Sequence, residues 1–320
     1  MRTMRILVTG ASGYVGRAVV RGLLAEGHRT RLLCHTTRVA APAGAEITFG
    51  DVLDPAGLTR AVAGVDAVVH LAAIAGVRRS FAQRDRFEEL NVGGTRNLIE
   101  ALTVAAPRGG EPPRLVFASS ASVYGSPARQ PIDETVPPDP ASPYATSKLA
   151  AERAIVDAAR AGRLGACTLR IFNAAGAVDG HGDPDDSRII PKAVAVAAGR
   201  LSTMELYGDG SAVRDFVHIK DIATAFRAAL AHCRPGRHDV FNVGATPASM
   251  NGVIDAVRRI TGRDVPLVRR PANPCEVREV RADSARLRDV LGWHAAHSAL
   301  DDMVADQWAA ERAGRGRHAG

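Results

Sequence analysis

Arg5-Ile-Leu-Val-Thr-Gly-Ala-Ser-Gly-Tyr-Val-Gly16 is the stretch that decides the fold. It opens as an apolar strand, turns at glycines 10, 13 and 16, and passes into an amphipathic helix over 13–26. Gly10, Gly13 and Gly16 carry no Cβ, so the backbone can approach a pyrophosphate and the helix N-terminus can face its charge. A glycine motif alone is weak evidence. Its place between a strand and a helix makes it a dinucleotide site.

Outward from this turn, strand-like runs alternate with helical ones. TRLLCH, EITFG, DAVVHLA and RLVFASS are short and continuously apolar, as expected of strands covered by helices on both faces. Helical patterns stand between them, from Pro55, near 84–106 and from 144. The expected fold class is α/β: a Rossmann-type, doubly wound parallel sheet with a smaller mixed α/β substrate-binding lobe. After ACTLRIF comes a loop rich in Gly, Asp and Pro, then helices over 188–199, 220–232, 249–261, 283–291 and 298–313 and the short strands MELYG and DFVHI. HDVFNVG is expected to return to the main sheet. The dinucleotide domain is thus placed at 1–172 with about 220–245 returning to it, and the substrate lobe at 173–219 and 246–320. A ligand between the two belongs at the carboxyl ends of the strands.

The 320 residues, 46% of them hydrophobic, suit an ordinary globular protein. No apolar run approaches the ~18–20 residues of a membrane span, and MRTMRILVTG lacks a signal-peptide pattern. A cytoplasmic protein is expected. Cys34, Cys167, Cys233 and Cys275 are scattered, which suggests reduced thiols and neither a metal site nor a disulfide framework. The net charge of +7 is spread along the chain apart from a short tail, and only three of the 41 cationic residues are lysines. Nucleic-acid binding is not expected from such a distribution.

At the end of the second strand, where an acid ordinarily holds the ribose of NAD, stands Cys34, followed by His35 and Arg38. The missing acid and the nearby cations could admit the phosphate of NADP. Alternatively, loop backbone and hydroxyls suffice for NAD, which is the favoured cofactor. Asp51, after the third strand, either accepts from the adenine amino group or caps the helix at Pro55. Asn91 either buttresses the active site or touches the cofactor. Ser142-Pro-Tyr-Ala-Thr-Ser-Lys148 starts a helix and puts Tyr144 and Lys148 on one face. A phenol is a poor base at neutral pH unless a nearby positive charge favours the phenolate.

TGASGYVG, HLAA, the serine-rich strand ending in VYG, YATSK, LRIFN and VRDFVH occur in this order over nearly the whole chain. In this the sequence resembles the extended short-chain dehydrogenase/reductases, the NAD-dependent epimerase/dehydratase family. The resemblance implies Ser120 as the catalytic hydroxyl, Tyr144 as general base and Lys148 as the cofactor-holding lysine. It further implies that Tyr14, Val15, Asp51, Val52, Leu71, Ala72, Ala73, Ala75, Asn91 and Phe172 touch the dinucleotide, and that Asn173 and Arg214 hold a nucleotide-sugar. Ser119 and Ser122 are read as supporting hydroxyls, the first toward the cofactor and the second toward the substrate.

The resemblance also implies oxidation of a UDP-hexose at C4 and return of the hydride to the other face, in a homodimer. Relatives that eliminate water or decarboxylate carry an acid, or an acid and base, directly after the catalytic hydroxyl. This chain has Ala121-Ser122 there, which favours epimerisation. Two departures concern the sugar. Arg188-Ile189 replaces the usual Asn-Leu, and a cation there could read a C6 carboxylate, bind phosphate or merely face solvent. The clamp near the uridine ribose is not clear in RRPANPCEVRE, where Arg270 or Arg278 with Glu276 could serve. Tyr207, at the end of MELYG, completes the expected substrate contacts.

Overall fold

The computed structural model describes residues 3–35, 41–106, 110–272 and 277–316. In chain order the first part comprises β1 (Arg5–Thr9), α1 (Tyr14–Ala25), β2 (Arg29–Cys34), β3 (Ala45–Phe49), α2 (Pro55–Val62) and β4 (Ala67–His70). Then follow α3 (Val77–Ala82), α4 (Arg84–Phe87), α5 (Gly94–Ala105), β5 (Arg114–Ser120), α6 (Pro143–Arg160) and β6 (Gly165–Ile171). These six strands and the strand His238–Val243 make one seven-stranded parallel sheet, ordered His238–Val243, β6, β5, β4, β1, β2, β3. The chain reverses its direction of winding at β1, which opens a crevice at the carboxyl ends of β1 and β4.

The continuous apolar strands are explained by cover on both faces. Ile6, Val8, Val69 and Val116 pack with Val19 and Leu23 of α1 and Ile222 and Phe226 of the helix Ile219–His232. Leu7, Val68 and Leu115 pack on the other face with Leu58 of α2, Leu98 and Leu102 of α5 and Ile155 of α6. Burying each such side chain contributes about 1.5–3 kcal/mol, so this register is strongly favoured over one slipped by a residue.

Two helix starts bear on the site. Asp54 accepts from the Ala56 amide (3.1 Å) ahead of Pro55 in the first turn of α2, so Asp54 and not Asp51 is the cap. Ser142 accepts from the Ala145 amide (3.2 Å) ahead of Pro143, which sets Tyr144 in the first turn of α6. The continuous helix expected over 84–106 is interrupted. Glu88–Gly93 form a π-helical turn between α4 and α5. Such bulges are rare and concentrate at functional sites.

Beyond β6, the strands Asn173–Ala175, Val213–His218, Thr246–Ser249 and Glu279–Val280 form a second sheet, and Met204–Tyr207 pairs with Leu267–Arg270. Ile190, Val194, Leu206, Val253, Val257 and Met303 form the core of this region, shared by the helices Ile189–Ala197, Met250–Thr261 and Leu300–Gly316.

No helix among the described residues is long and apolar enough to cross a membrane, and no cluster of His, Cys, Asp and Glu there could hold a metal ion.

Candidate active site

At the turn after β1, Gly10 has φ +68°, and a Cβ on it would lie 2.7 Å from the Ala72 amide nitrogen. A Cβ on Gly16 would lie 2.2 Å from the Gly10 carbonyl oxygen. Only glycine lets these backbones meet. Gly13 precedes α1 without any side-chain cap, so the first amides of this 12-residue helix are left for an anion. These residues fit the pyrophosphate of a dinucleotide.

The Thr9 hydroxyl ties the turn to the end of β4. It accepts from the Leu71 and Ala72 amides (3.2 and 3.1 Å), and so donates to His70 Nδ1 at 2.7 Å. The Thr95 hydroxyl donates to the Asn91 carbonyl (2.6 Å) and therefore accepts from His70 Nε2 at 3.0 Å. Both contacts require a neutral imidazole protonated on Nε2. Burial, with the Lys148 charge, pushes the His70 pKa down to about 3. A histidine depressed in the folded state contributes its full stability above its unfolded pKa near ~6.5, and loses it as pH falls toward the folded value. Urea titrations from pH 6.5 to 4 should show His70 contributing up to ~1.4 kcal/mol of lost stability per pH unit, and His70→Gln should flatten that slope.

Several residues expected at the cofactor have side chains engaged elsewhere. Asn91, on the π turn, accepts from the Ile74 amide (2.8 Å) and donates to the Ile74 carbonyl (3.1 Å) and to Ser147 Oγ (3.0 Å). Its amide pins the 71–75 segment to α6. These contacts favour the buttressing reading of Asn91. The Ser119 hydroxyl donates to Glu152, since alternation along β5 turns it away from Ser120. Glu152 is in turn paired with buried Arg170.

Tyr14 is half-buried, and its hydroxyl donates to the Gly176 carbonyl at 2.6 Å. Val15 is half-buried against the core. Asp51 accepts from the Leu53 amide (2.9 Å), and its other oxygen lies 3.1 Å from His35 Nε2. Val52 is buried and packs against Gly94. Leu71, Ala72 and Ala73 are half-buried and Ala75 exposed, while Phe172 packs with Tyr124 and Leu149. Cys34 is buried in the core, so its thiol does not substitute for the ribose-binding acid. Arg38, Cys275 and Glu276 lie outside the described residues.

The catalytic residues expected from the sequence meet at the carboxyl end of β5. The Ser122 amide and hydroxyl both donate to Ser120 Oγ, at 3.2 and 3.0 Å. The Tyr144 phenol stands close enough to Ser120 for that residue to favour its ionised form, and its ring meets Phe87 edge-on with centroids 6.1 Å apart. The Ser122 side chain and backbone thus both bear on Ser120. Burial raises the Tyr144 pKa, while the Ser120 hydrogen bond and the Arg188 charge oppose the rise. Lys148 donates to the Ala118 carbonyl at 2.9 Å, with its ammonium 4.8 Å from the Phe117 ring centroid. Burial pushes its pKa down to about 8, against the pull of Glu152.

On the substrate side, Asn173 donates to the Asp215 carbonyl (2.8 Å) and Arg214 to the carbonyls of Val213 and Val277 (2.9 and 2.8 Å). Asp215 faces the interior and accepts from the Ala245 and Ala282 amides (2.6 and 3.0 Å), with burial lifting its pKa to about 6. Arg188 precedes the helix Ile189–Ala197 and is paired with Asp183 (2.9 Å) and Asp185 (3.5 Å). Ile189 is half-buried and packs against the second core. Tyr207 lies 3.4 Å from Glu205, which pairs with Arg270 at 2.7 Å. Arg278 is exposed; Asp209, whose pKa is held low chiefly by Ser211, also feels its charge. Glu152, Arg170, Asp183 and Phe87 were not found from sequence, since their partners are distant in the chain and no local pattern marks them.

The model of the NAD dependent epimerase/dehydratase family matches residues 6–244. A UDP-glucose 4-epimerase of Streptomyces lividans is 36% identical over 321 residues, covering 95% of each chain. A UDP-glucose-4-epimerase structure from Stenotrophomonas maltophila, with bound NAD and formylated UDP-arabinopyranose, has a TM-score of 0.90 at 30% identity, covering 98% of this chain and 99% of that one. The structure of MoeE5 with UDP-glucuronic acid and NAD has a TM-score of 0.85 at 31% identity, covering 97% and 99%. The glycine turn, the Ser120–Tyr144–Lys148 site and the matched sequence together place the chain in the NAD dependent epimerase/dehydratase family.

Proposed function

We propose that the protein is an NAD-dependent 4-epimerase of a UDP-hexose, working in the cytoplasm as a homodimer. The observation that carries this is Ser120, held by the Ser122 amide and hydroxyl and felt at the Tyr144 phenol, with Ala121 and Ser122 standing where a second acid or base would be needed. Ala121 is buried and apolar, and the Ser122 hydroxyl is engaged by Ser120. Elimination of water or loss of a carboxylate would need that second proton transfer. Oxidation and return at one carbon does not.

Tyr144 Oη takes the proton of the 4-hydroxyl and gives it back, a contribution of roughly 10²- to 10⁴-fold for a positioned general base. Ser120, oriented by Ser122, hydrogen-bonds the same oxygen. Lys148 holds the nicotinamide ribose and brings positive charge near the base. Arg214 suits the diphosphate, because a guanidinium fork matches phosphate oxygens. NAD supplies hydride acceptance and return at C4, so the sugar passes through a 4-keto form without net redox change. Asp51, whose carboxylate lies 3.1 Å from His35 Nε2, favours NAD over NADP, since a carboxylate there disfavours a further phosphate. Val104 of α5 and Phe81 of α3, 72% and 62% exposed, are apolar groups suited to pairing with a second copy.

Incubation with UDP-glucose, UDP-galactose and UDP-glucuronate, with products resolved by NMR, tests the reading. C4 inversion of at least one is expected, and inversion of none would sink it. NAD should copurify with the protein, because an epimerase has no need to exchange it. Release of reduced cofactor in step with product would indicate a dehydrogenase instead.

A further inference from the structure

One chain of buried hydrogen bonds runs from the glycine turn to the helix that carries the general base. The Thr9 hydroxyl donates to His70 Nδ1 at 2.7 Å, and His70 Nε2 donates to Thr95 Oγ1 at 3.0 Å. Thr95 donates to the Asn91 carbonyl at 2.6 Å, the Asn91 side-chain amide donates to Ser147 Oγ at 3.0 Å, and Ser147 donates to the backbone carbonyl of Tyr144 at 2.8 Å. A hydroxyl has one proton to give, so the order of donors is fixed along the whole chain. All five side chains from Thr9 to Ser147 are at most 2% exposed, and in such surroundings each bond is costly to leave unmade.

His70 stands where this chain joins two holds on the same segment. At one end of 71–75, Thr9 accepts from the Leu71 and Ala72 amides at 3.2 and 3.1 Å, directly before the Gly10 backbone that meets Ala72. At the other end, Asn91 accepts from the Ile74 amide at 2.8 Å and donates to the Ile74 carbonyl at 3.1 Å. The imidazole links Thr9, 61 residues before it, to Thr95, 25 residues after it. Its ring also packs 5.7 Å from that of Phe117, which lies 4.8 Å from the Lys148 ammonium. A side chain in this place must take a proton from one hydroxyl and give one to another, which an apolar residue cannot do.

We infer that His70 is a positioning residue for the reaction: through this chain it fixes the glycine turn and the 71–75 segment relative to the backbone of Tyr144, and so aligns the hydride acceptor with the proton acceptor. This rests on the reading of Tyr144 as general base beside NAD and deepens it. Hydride leaves C4 as the proton leaves its hydroxyl, so both acceptors must be aligned on one carbon at once. A misplacement of about 1 Å caused by a change far from the chemistry can lower a rate by ~10²-fold. His70 itself exchanges no proton with the sugar.

The test measures C4 inversion of UDP-galactose, with hydrogen or deuterium at C4, by the NAD-loaded protein. His70→Leu should lower kcat by roughly 10- to 10²-fold with KM within about threefold of wild type, and the full deuterium isotope effect of hydride transfer should then appear on kcat. His70→Gln, which keeps one acceptor and one donor, should recover most of the loss. Thr95→Val cuts the next link at the same shape and should act in the same direction, which keeps the test open if His70→Leu does not fold. Thr9→Val and Ser147→Ala together should cost little more than either alone, since both cut one chain. Apart from activity, amide hydrogen exchange at Leu71, Ala72 and Ile74 in the cofactor-free protein should quicken in Thr95→Val, although Thr95 hydrogen-bonds none of them. Unchanged kcat and unchanged exchange in the folded variants, a loss without an isotope effect, or strict additivity of the two end cuts would overturn the inference. Oxidation of the sugar by the wild type with no C4 inversion would remove the epimerase reading instead, and slower oxidation with quickened exchange in the variants would still uphold the role of His70.

Discussion

Tyr144→Phe is expected to lower kcat for C4 inversion by about 10²- to 10⁴-fold, the range for loss of a positioned general base. In the proposed mechanism the Tyr144 phenol carries the proton in question, with Ser120 acting on it. Free of ligand, burial holds it protonated, and the Ser120 hydrogen bond and Arg188 oppose that only in part. Removing the hydroxyl removes the proton acceptor but leaves the ring, which still packs edge-on against Phe87. Thermal stability and retention of NAD should therefore be close to wild type. A comparable loss of stability would show that the hydroxyl serves packing and not proton transfer. The kinetic loss should also fall on kcat more than on KM, since the group acts in the transition state.

Glu152→Ala is expected to destabilise the fold by about 3–5 kcal/mol, the cost of breaking a buried ion pair from one side. Glu152 and Arg170 are 4% and 7% exposed at the side chain and make paired hydrogen bonds of 3.1 and 2.7 Å. Arg170 also lies over the Tyr124 ring at 4.7 Å, and the Ser119 hydroxyl donates to Glu152. Truncation leaves a buried guanidinium and an orphaned hydroxyl just behind the catalytic strand. Combining Glu152→Ala with Arg170→Met should cost less than the sum of the single changes, because the second removes the uncompensated charge. Urea unfolding of the four proteins measures this directly, and strict additivity would contradict the account.

How far the site could be read from sequence differed with the range of the interaction. The strand–turn–helix from Arg5 to Ala25 was legible because its signals are local: an apolar run, a turn closed to Cβ at Gly10 and Gly16, then helical periodicity. Tyr144 and Lys148 were legible for the same reason, lying one turn apart on a capped helix. The π turn at Glu88–Gly93 was not, since an extra residue in a turn leaves the apolar spacing of a helix nearly unchanged. Asn91 was left open between buttress and cofactor contact because its partners, Ile74 and Ser147, stand 17 and 56 residues away. Asp183 was invisible for the same reason. Its amide donates to Gln307 across 124 residues, a contact that follows no period one segment could display. Arg188, by contrast, stood out as a cation, and only the fold revealed the carboxylates that flank it.

Oxidation and return at a single carbon is the central claim, and the fate of the hydrogen at C4 tests it. UDP-galactose carrying deuterium at C4 should be converted to UDP-glucose with the deuterium still at C4 and none in solvent, without added cofactor. Loss of the label to water, or inversion at another carbon, would contradict the account.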